Sequence, residues 1–365
     1  MSDHLKTFVI PTGWSPNIGN AFFALGIKYV LEQAIPKAQV ALFSDQAAYL
    51  NMFPGRHYRD EPRNSLRYLD HIRPDYIVLS GSVLTKQFPK IWQITLEALH
   101  KAGVKVLFIS VGGYDYDQDE ISCCRKLLEK YPPYVFISRD RETYRNFGDL
   151  ASYSYDGIDG ACFIPEIFKP IKTNLPPYIV LNFDKTPEPW IYIYDKPLHA
   201  RTSCKNLSYK FEFKGEYWEV RFPRIRLIVS RILGKGTGFV LGPLGLYGTS
   251  QKRIGRYLLI RTDHQLNPVM IRRIFRGPNA YAGDIPYTYC NIYAQSELTL
   301  TDRVHAALVT MTYGKPAMLF SKTKRALVIE RLGGESVTCK PTYLDLEVLK
   351  KEKTSMISFL KSIPW

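Results

Sequence analysis

The chain has 365 residues, of which 45% are hydrophobic, so it can bury a sizeable core and is long enough for two domains. Lysine and arginine number 49 against 34 aspartate and glutamate residues, giving a formal charge of +15. This balance favours an anionic partner, such as nucleic acid, an anionic membrane, or a phosphorylated or carboxylated metabolite. No apolar run approaches the ~18 residues that cross a bilayer, which excludes a membrane-spanning segment at the level of sequence.

The six cysteines do not form a C-x-x-C pair, and no secretory leader precedes the first predicted strand. Disulfides persist mainly in oxidising compartments, whereas unpaired cysteines are typical of cytosolic proteins. We therefore expect reduced thiols and a cytoplasmic protein, with any membrane contact peripheral at the inner face of the membrane.

Predicted strands and helices alternate along the first part of the chain. Short apolar runs predict strands, and longer amphipathic runs predict helices. In chain order, the strands are 7–11, 39–44, 74–82, 104–113 and 134–140, and the helices lie within 13–36, over Phe88–Lys101 and near 121–130. This alternation predicts a mostly parallel sheet with helices on both faces.

A proline-rich break over 169–178 precedes a second series, which starts with a strand over 178–184. We predict an α/β protein with two doubly wound Rossmann-like domains facing across a cleft, a GT-B-like arrangement. The predicted divisions are an N-terminal acceptor-side domain (1–168), a C-terminal donor-side domain (169–340), and a C-terminal helix (341–365) that packs back on the first domain. Ligands of such sheets bind at the carboxyl ends of the strands.

The stretch from Ser296 to Phe320 reads SELTLTDRVHAALVTMTYGKPAMLF and predicts a strand, a helix and a strand. Asp302 is the expected N-cap, which places Arg303 and His305 in the first helical turn. Cations at this positive end of a helix are unfavourable unless an anion binds there, so the pattern indicates an anion site. The alternative is that Arg303 pairs with a carboxylate such as Glu297 and that His305 is a core histidine.

Polar residues also follow other predicted strands. Asn17 to Asn20, with Gly19 between them, form a turn that opens a helix and can present backbone N–H groups to a ligand. Arg139 and Arg141 follow the strand over 134–140, and their alternative role is a solvated cluster of ion pairs. The Asp156-Gly157 turn follows the next strand, and it can equally be a simple connection.

Together these motifs resemble the polysaccharide pyruvyl transferase family. The family's Asn-x-Gly-Asp turn is similar to Asn17 to Asn20, its Arg-Asp-x-x-Ser segment to Arg139 to Thr143, and its following aspartate turn to Asp156. Its C-terminal block is matched by Arg303, His305, Gly314, Pro316, Lys324 and the pair Leu332-Gly333. The chain departs from the family at Asn20, at Thr143, and at Gly81-Ser82, where the family has aspartate, serine and a run of glycines.

The resemblance implies a transferase that takes phosphoenolpyruvate as donor and installs its pyruvyl group as a ketal on a sugar of a cell-surface, capsular or exopolysaccharide precursor. Phosphoenolpyruvate is the donor substrate, and no cofactor is expected; the acceptor is a sugar or a lipid-linked oligosaccharide. Arginine forks bind phosphate and carboxylate in a bidentate manner, and a histidine near neutrality can transfer a proton. The expected catalytic residues are His305 and Arg303. The expected substrate-binding residues are Arg139, Arg141, Asn17, Gly19, Asn20, Asp156 and Lys324.

Two other functions remain open. One is a GT-B nucleotide-sugar glycosyltransferase, and the other is a non-catalytic protein that binds glycan or membrane and derives from the same fold. The seven histidines lack H-x-H and H-x-x-x-H spacing, and the acidic run over 114–119 lacks the glycine and glutamate of a calcium loop, so we expect no metal site.

The segment 205–276 is rich in arginine and lysine interleaved with aromatic and aliphatic residues. Such a mixture suits a surface that contacts anionic lipid or a lipid-linked diphosphate glycan, or arginine stems that cover core helices. No nucleic-acid-binding motif accompanies it, so nucleic acid is not an expected partner. Its basic residues include Arg221, Arg224, Arg226, Arg231, Lys235, Lys252, Arg253, Arg256, Arg261, Arg272, Arg273 and Arg276.

Overall fold

A six-stranded parallel sheet occupies the first half of the chain. The computed structural model describes residues 5–14, 17–44, 73–196, 207–233, 248–265, 277, 279–321 and 323–365. The strands are β1 (Lys6–Thr12), β2 (Ala38–Ser44), β3 (Tyr76–Leu84), β4 (Lys105–Gly113), β5 (Val135–Ser138) and β6 (Tyr153–Asp156). Their order is β2-β1-β3-β4-β5-β6, and every pairing is parallel.

Helices cover both faces of this first sheet. They are α1 (Gly19–Ala34), α2 (Phe88–Lys101), α3 (Gln118–Lys130), α4 (Arg141–Phe147) and α5 (Ile164–Ile167), with 3-10 turns at Gly148–Leu150 and Gly160–Phe163. Because side chains alternate along a strand, Val78 packs in the core with Phe22 of α1, whereas Ile77 packs in a second core with Trp92 of α2. Both faces are therefore buried, as the apolar strand sequences predict.

A second six-stranded sheet is formed by the later part of the chain. Its strands are β7 (Tyr178–Asn182), β11 (Arg253–Ile254), β12 (Tyr257–Thr262), β13 (Ala280–Tyr281), β14 (Leu298–Thr301) and β15 (Ala317–Leu319). The order is β11-β12-β7-β14-β15, with β13 beside β12, and only the short β11 pairs antiparallel among these described strands. The change of sheet falls between β6 and β7.

A three-stranded antiparallel sheet lies between β7 and β11 in the chain. It consists of β8 (Trp190–Tyr194), β9 (Ser208–Phe213) and β10 (Glu216–Arg221), in the order β8-β10-β9. Trp218 and Val220 of β10 pack on Leu181 of β7, so the small sheet covers one face of the second parallel sheet. The sequence patterns did not indicate this addition.

The remaining helices complete the second half. They are α6 (Arg224–Leu233), α7 (Pro286–Ala294), α8 (Val304–Thr312), α9 (Leu327–Glu330) and α10 (Leu346–Lys361), with 3-10 turns at Lys324–Ala326 and Glu335–Thr338. None of the described helices combines the length and the hydrophobicity that crossing a bilayer requires.

The C-terminal residues pack on the first sheet and its helices. Phe359 of α10 stacks on Tyr155 of β6 with ring centroids 5.0 Å apart. Trp365 lies edge-on to Phe8, at 5.6 Å, and to Tyr76, at 5.3 Å. These aromatic contacts tie the end of the chain to β1, β3 and β6.

The start of α8 differs from the sequence prediction. Asp302 is not the N-cap: the helix begins at Val304, and Arg303 occupies the N-cap position without a side-chain cap. The Asp302 carboxylate instead accepts hydrogen bonds from the backbone N–H groups of Lys185, at 3.0 Å, and Thr186, at 2.7 Å. Parallel pairing of β14 with β7 places these turns side by side, so the buried aspartate serves the neighbouring turn.

The basic segment 205–276 is only partly a surface. Arg261 is 3% exposed, and its Nε and Nη2 donate to the Glu188 carboxylate at 2.9 and 2.8 Å, so its assignment to a lipid-contacting surface is wrong. A guanidinium at this depth requires a carboxylate partner. The predictions for Lys235, Arg272, Arg273 and Arg276, and for the side chain of Arg231, lie outside what the structure describes.

Candidate functional site

The carboxyl ends of the two parallel sheets bring Arg139, Arg303 and His305 together. Arg139 follows β5 directly, and Arg303 and His305 follow β14. Asp159 connects the two halves, because its Oδ2 lies 3.4 Å from Nη1 of Arg139 and 3.4 Å from Nε2 of His305. The predicted pairing of these basic residues at one site is therefore present, and an aspartate lies at its centre.

The aspartate that contacts both Arg139 and His305 is Asp159, whereas Asp156, for which substrate binding is predicted, has other partners. Asp159 is fully buried, and its Oδ1 accepts from the Ala161 N–H at 2.9 Å. Burial by itself would raise the pKa of Asp159, but His305 and Arg139 lower it to about 2, so the carboxyl is ionised at neutral pH. The sequence offered a signal for it, since an Asp-Gly pair occurs twice, at 156 and again at 159.

Asp156 instead joins the two halves of the molecule away from the site. Its carboxylate pairs with Arg331 and accepts from the Ser138 hydroxyl at 3.2 Å. Arg141 lies 3.9 Å from the same carboxylate with 73% of its side chain exposed. Arg141 is thus part of a solvated ion pair, the alternative considered from the sequence. Substrate binding by Asp156 and Arg141 stays a prediction.

His305 is 4% exposed and opens the apolar helix α8. With Nε2 directed at the ionised Asp159, this nitrogen carries the proton, and the lone pair is left on Nδ1. Burial lowers the pKa of His305, and the nearby Asp159 opposes this effect, so the ring is neutral at neutral pH. A neutral imidazole with Nδ1 unprotonated can accept a proton.

A glycine preserves the space in front of the His305 lone pair. A Cβ added to Gly19 would lie 3.1 Å from Nδ1 of His305 and 3.4 Å from Nδ1 of His264. The turn before it is held by Asn17, whose Oδ1 accepts from the Gly19 N–H at 3.2 Å, and by Asn20, whose Nδ2 donates to the Gly13 carbonyl at 2.8 Å. Asn20 replaces the family's aspartate, and only an amide can make this donation.

Arg139 is 1% exposed, and its guanidinium is fixed on two sides. Nη2 donates to the Ser82 hydroxyl at 2.7 Å, and Nη1 faces Asp159. A Cβ added to Gly112 would lie 2.4 Å from Nε, so this close approach requires glycine. The buried Nε has no hydrogen-bond partner among the described residues. Ser82, one of the positions at which the chain departs from the family pattern, therefore orients the guanidinium group of Arg139.

Arg303 is also buried, with 8% exposure. Its Nε donates to Asp184, which follows β7, while its buried Nη2 finds no partner in the described part of the chain. Although burial would lower the pKa of Arg303, Asp184 and Asp302 raise it. The carboxylate partner is thus Asp184; Glu297, named in the alternative, pairs with Lys214.

Arg325 is a third guanidinium at the site that the sequence prediction missed. Its buried Nε is without a partner across the described ranges. Burial and the positive charges of Arg139 and Arg303 lower the pKa of Arg325 to about 10. The predicted residue, Lys324, is exposed and lies over the Tyr116 ring, 5.6 Å from its centroid. The sequence offered one signal for Arg325, which is that it directly follows the predicted Lys324.

Two further groups border the cluster. Lys185 keeps contact with solvent, yet the surrounding protein and the charges of Arg303 and Arg325 lower its pKa to about 8. His264 follows β12, and its Nε2 lies 2.7 Å from the Tyr293 hydroxyl. Burial lowers the pKa of His264 to about 3, so this ring is neutral. Lys185 and His264 each follow the end of a strand, but neither belongs to a sequence motif that would have identified it as a site residue.

Three arginines, one lysine and two neutral histidines thus line one region between the sheet edges. Among residues that the structure describes, no three His, Cys, Asp or Glu side chains are grouped to hold a metal ion. Arg139, Arg303 and Arg325 each carry a buried N–H without a protein acceptor in these ranges, and their charges repel one another. Anionic oxygens would both accept these hydrogen bonds and relieve the repulsion.

The fold is GT-B-like. An S. aureus MnaA–UDP co-structure is similar to the chain at a TM-score of 0.51 and 12% identity, over 98% of this chain and 90% of that chain. A UDP-GlcNAc 2-epimerase from Neisseria meningitidis bound to UDP-GlcNAc has a TM-score of 0.48 and 12% identity, over 97% and 93% of the chains. No curated protein matches the sequence.

The family relationship comes from the sequence itself. The model of the family described as polysaccharide pyruvyl transferase matches residues 17–322, which include Asn17, Arg139, Asp159, Arg303 and His305. The match covers most of the chain, including all of the second sheet and every strand of the first sheet except β1. The chain therefore belongs to the polysaccharide pyruvyl transferase family.

Proposed function

We propose that this protein transfers the pyruvyl group of phosphoenolpyruvate to two hydroxyls of a sugar, forming a ketal and releasing inorganic phosphate. The observation that supports the proposal is the set of three guanidinium groups, each with a buried N–H lacking an acceptor in the described ranges, around a neutral histidine. Phosphoenolpyruvate carries a phosphate and a carboxylate on one small carbon skeleton. These two anionic groups match the cluster, which contains more guanidinium groups than a single anionic group would require.

Donor binding would rest on Arg139, Arg303 and Arg325. Nη2 of Arg303 and the Nε atoms of Arg139 and Arg325 would donate to the phosphate and carboxylate oxygens. Asp159 holds the guanidinium group of Arg139 in place, and Asp184 holds that of Arg303. The two carboxylates also lower the net positive charge of the cluster. The bound dianion would in turn favour the charged form of Lys185, whose pKa is low without it.

The first half of the reaction is an addition. One sugar hydroxyl forms a C–O bond to the central carbon of the donor, and its proton ends on the methylene carbon, which becomes the methyl group. Nδ1 of His305 would accept the hydroxyl proton, and Asp159 would stabilise the imidazolium that results. The arginines would stabilise the phosphate and carboxylate while positive character develops at the central carbon.

The second half is a substitution. A second hydroxyl of the sugar forms another C–O bond to the same carbon, and the C–O bond to phosphate breaks. The proton of this hydroxyl leaves with inorganic phosphate, so atoms and charges balance. The acceptor would be a sugar of a cell-surface, capsular or exopolysaccharide precursor; the family description supports a polysaccharide. The polar turn of Asn17 and Asn20 borders the space at Gly19 where it would approach.

Thermal melting with phosphoenolpyruvate tests the donor. A ligand that binds only the native state raises the melting temperature by mass action. We expect phosphoenolpyruvate to raise it more than inorganic phosphate or pyruvate at the same concentration, because only the donor carries both anionic groups. A phosphate-release assay with a panel of sugar acceptors then tests turnover. Stabilisation by uridine diphosphate with none from phosphoenolpyruvate would support a nucleotide-sugar enzyme and contradict the proposal.

A further inference from the structure

Helix α6 presents a stripe of isoleucines to solvent. Ile225, Ile228 and Ile232 are 78%, 57% and 78% exposed. Their spacing of three and four residues places them on one face of the helix, because an α-helix has 3.6 residues per turn. Leu227, on the opposite side, is 7% exposed and packs in the core of the second sheet. The helix therefore has one apolar side that packs on the core and a second apolar side that faces solvent.

The helix is held in this orientation by its neighbours. Leu227 packs in the same cluster as Phe183 and Phe222, and Nη1 of Arg226 donates to the Gly248 carbonyl at 3.2 Å. These contacts fix the inward side and leave the isoleucines outside. A contiguous exposed apolar stripe usually marks a protein or membrane contact, whereas single exposed apolar residues need no explanation.

Positive charge lies on both sides of the stripe. Arg224 and Arg226 are one residue before and after Ile225, which places them about 100° to either side of it on the helix. Arg224 is exposed, and the described part of α6 contains no acidic residue in its first turn. The chain as a whole carries +15. Apolar side chains flanked by arginines are the composition of helices that lie in the interface of anionic membranes.

The helix lies near the strand ends that carry the candidate site. Strand β10 ends at Arg221, which pairs with Trp190, and α6 begins three residues later. Gly248, the partner of Arg226, adjoins Thr249, whose hydroxyl donates to Glu188 at 2.6 Å. Glu188 follows the turn that begins after β7. A membrane surface in contact with α6 would therefore lie near the carboxyl ends of the strands of the second sheet.

We propose that α6 inserts Ile225, Ile228 and Ile232 into the interface of an anionic lipid bilayer, with Arg224 contacting lipid phosphates. The partner is a lipid surface, because positive charge flanks an apolar face that stays exposed in the part of the chain that the structure describes. This inference does not depend on the donor or on the reaction. Its consequence is that an acceptor carried by a lipid would meet the enzyme at the membrane surface.

Sedimentation with vesicles tests the inference. One vesicle type is phosphatidylcholine alone, and the other contains about 30 mol% phosphatidylglycerol. We expect the protein to bind the anionic vesicles at about 0.05 M salt and to dissociate at about 0.5 M, because screening shortens the reach of the arginines. The triple variant Ile225→Ser, Ile228→Ser, Ile232→Ser should bind them at least about tenfold more weakly.

The chain offers a matched control. Ile94, Ile171 and Ile285 are 68%, 74% and 57% exposed but lie in three separate parts of the chain, none of them in α6. Replacing these three with serine removes similar apolar surface without touching α6, and it should leave vesicle binding within about twofold of the wild type. The single variant Arg224→Gln should weaken vesicle binding by about fivefold, since one basic residue near an anionic surface typically contributes about this factor to the affinity.

Three outcomes would overturn the inference. They are wild-type protein that does not bind anionic vesicles at low salt, an α6 triple variant that binds as the wild type does, and a control variant that is equally impaired. A fourth is an α6 variant whose only change is dissociation of a dimer in analytical ultracentrifugation, which would assign the stripe to a second copy of the chain. Melting temperatures with and without phosphoenolpyruvate would verify that both triple variants are folded.

Discussion

Oδ2 of Asp159 lies 3.4 Å from Nε2 of His305, although 146 residues separate the two in the chain. The aspartate belongs to the turn after β6, and the histidine belongs to the first turn of α8. The contact therefore joins the strand ends of one sheet to those of the other. It fixes the histidine tautomer and places an ionised carboxylate behind the imidazole, the arrangement that general-base catalysis requires.

Replacing Asp159 by asparagine tests this role. We expect phosphate release from phosphoenolpyruvate to fall by about 10²–10⁴-fold, because the imidazolium would lose its stabilising carboxylate. The carboxylate also raises the pKa of His305, so the acidic limb of the rate profile should move to lower pH in the variant. Asp156→Asn is the matched control, since Asp156 pairs with Arg331. Equal losses in both variants, with an unmoved acidic limb, would reduce Asp159 to a structural role.

Arg325 and Lys324 form an adjacent pair for testing the donor site. Arg325→Ala should abolish the rise in melting temperature caused by phosphoenolpyruvate, whereas Lys324→Ala should keep most of it. The melting temperature of Arg325→Ala without ligand should equal or exceed that of the wild type, because the substitution removes repulsion with Arg139 and Arg303. A donor effect lost in Lys324→Ala and kept in Arg325→Ala would restore the assignment made from the sequence.

Arg303 has two roles that two substitutions separate. Arg303→Ala removes a donor ligand and also leaves the buried Asp184 without this partner, so both the donor effect and several degrees of melting temperature should be lost. Arg303→Lys keeps a charge near Asp184 and should recover part of the stability, but an ammonium cannot reproduce the guanidinium fork. Thermal melts with and without phosphoenolpyruvate measure both effects; full donor stabilisation in Arg303→Lys would argue against a bidentate contact.

Gly19→Ala should obstruct the approach to the histidines. The new Cβ would lie 3.1 Å from Nδ1 of His305 and 3.2 Å from Oδ1 of Asn17. We expect turnover to fall at least about tenfold while stability changes by less than about 1 kcal/mol, since the site is the first residue of a helix. Gly283→Ala is the control, because a Cβ there has no atom within 4 Å. A variant with normal turnover would place the acceptor elsewhere.

Stability should decrease on acidification because two buried histidines are neutral in the folded protein. The pKa of His264 in the folded protein is about 3, against the ordinary imidazole value of 6.5, so the unfolded chain binds more protons between these values. Stability is therefore complete above about pH 6.5 and falls as the pH is lowered toward 3. From pH 7 to 5, His264 alone should cost about 2 kcal/mol of unfolding free energy. His305, whose pKa is also lowered, acts in the same direction.

Urea unfolding of the wild type and of His264→Gln at both pH values measures this effect. The glutamine can still form a hydrogen bond with Tyr293 but does not titrate. The variant should lose less stability between pH 7 and 5 than the wild type does. An equal loss would show that other groups dominate the acid sensitivity.

The parallel sheets were predictable because their signals are local. The continuous apolar runs of β3 and β4 predict strands buried on both faces, and the helix Phe88–Lys101 has the predicted bounds. The domain ranges 1–168, 169–340 and 341–365 stay predictions, although the change of sheet falls between Asp156 and Tyr178. The antiparallel sheet of β8, β9 and β10 was not predicted, since only β9 alternates polar and aromatic residues and no strand sequence identifies its pairing partner.

The sequence by itself determined the fold class, the family, and the presence of Arg139, Arg303 and His305 at strand ends, because strand periodicity and motif order are properties of neighbouring residues. Only the tertiary structure decided that Asp159 rather than Asp156 faces the histidine, and that Arg325 rather than Lys324 adds to the arginine cluster. Each of these choices depends on the direction of a side chain across the gap between two sheets. That direction is set by packing among residues more than a hundred positions apart, which local pattern does not encode.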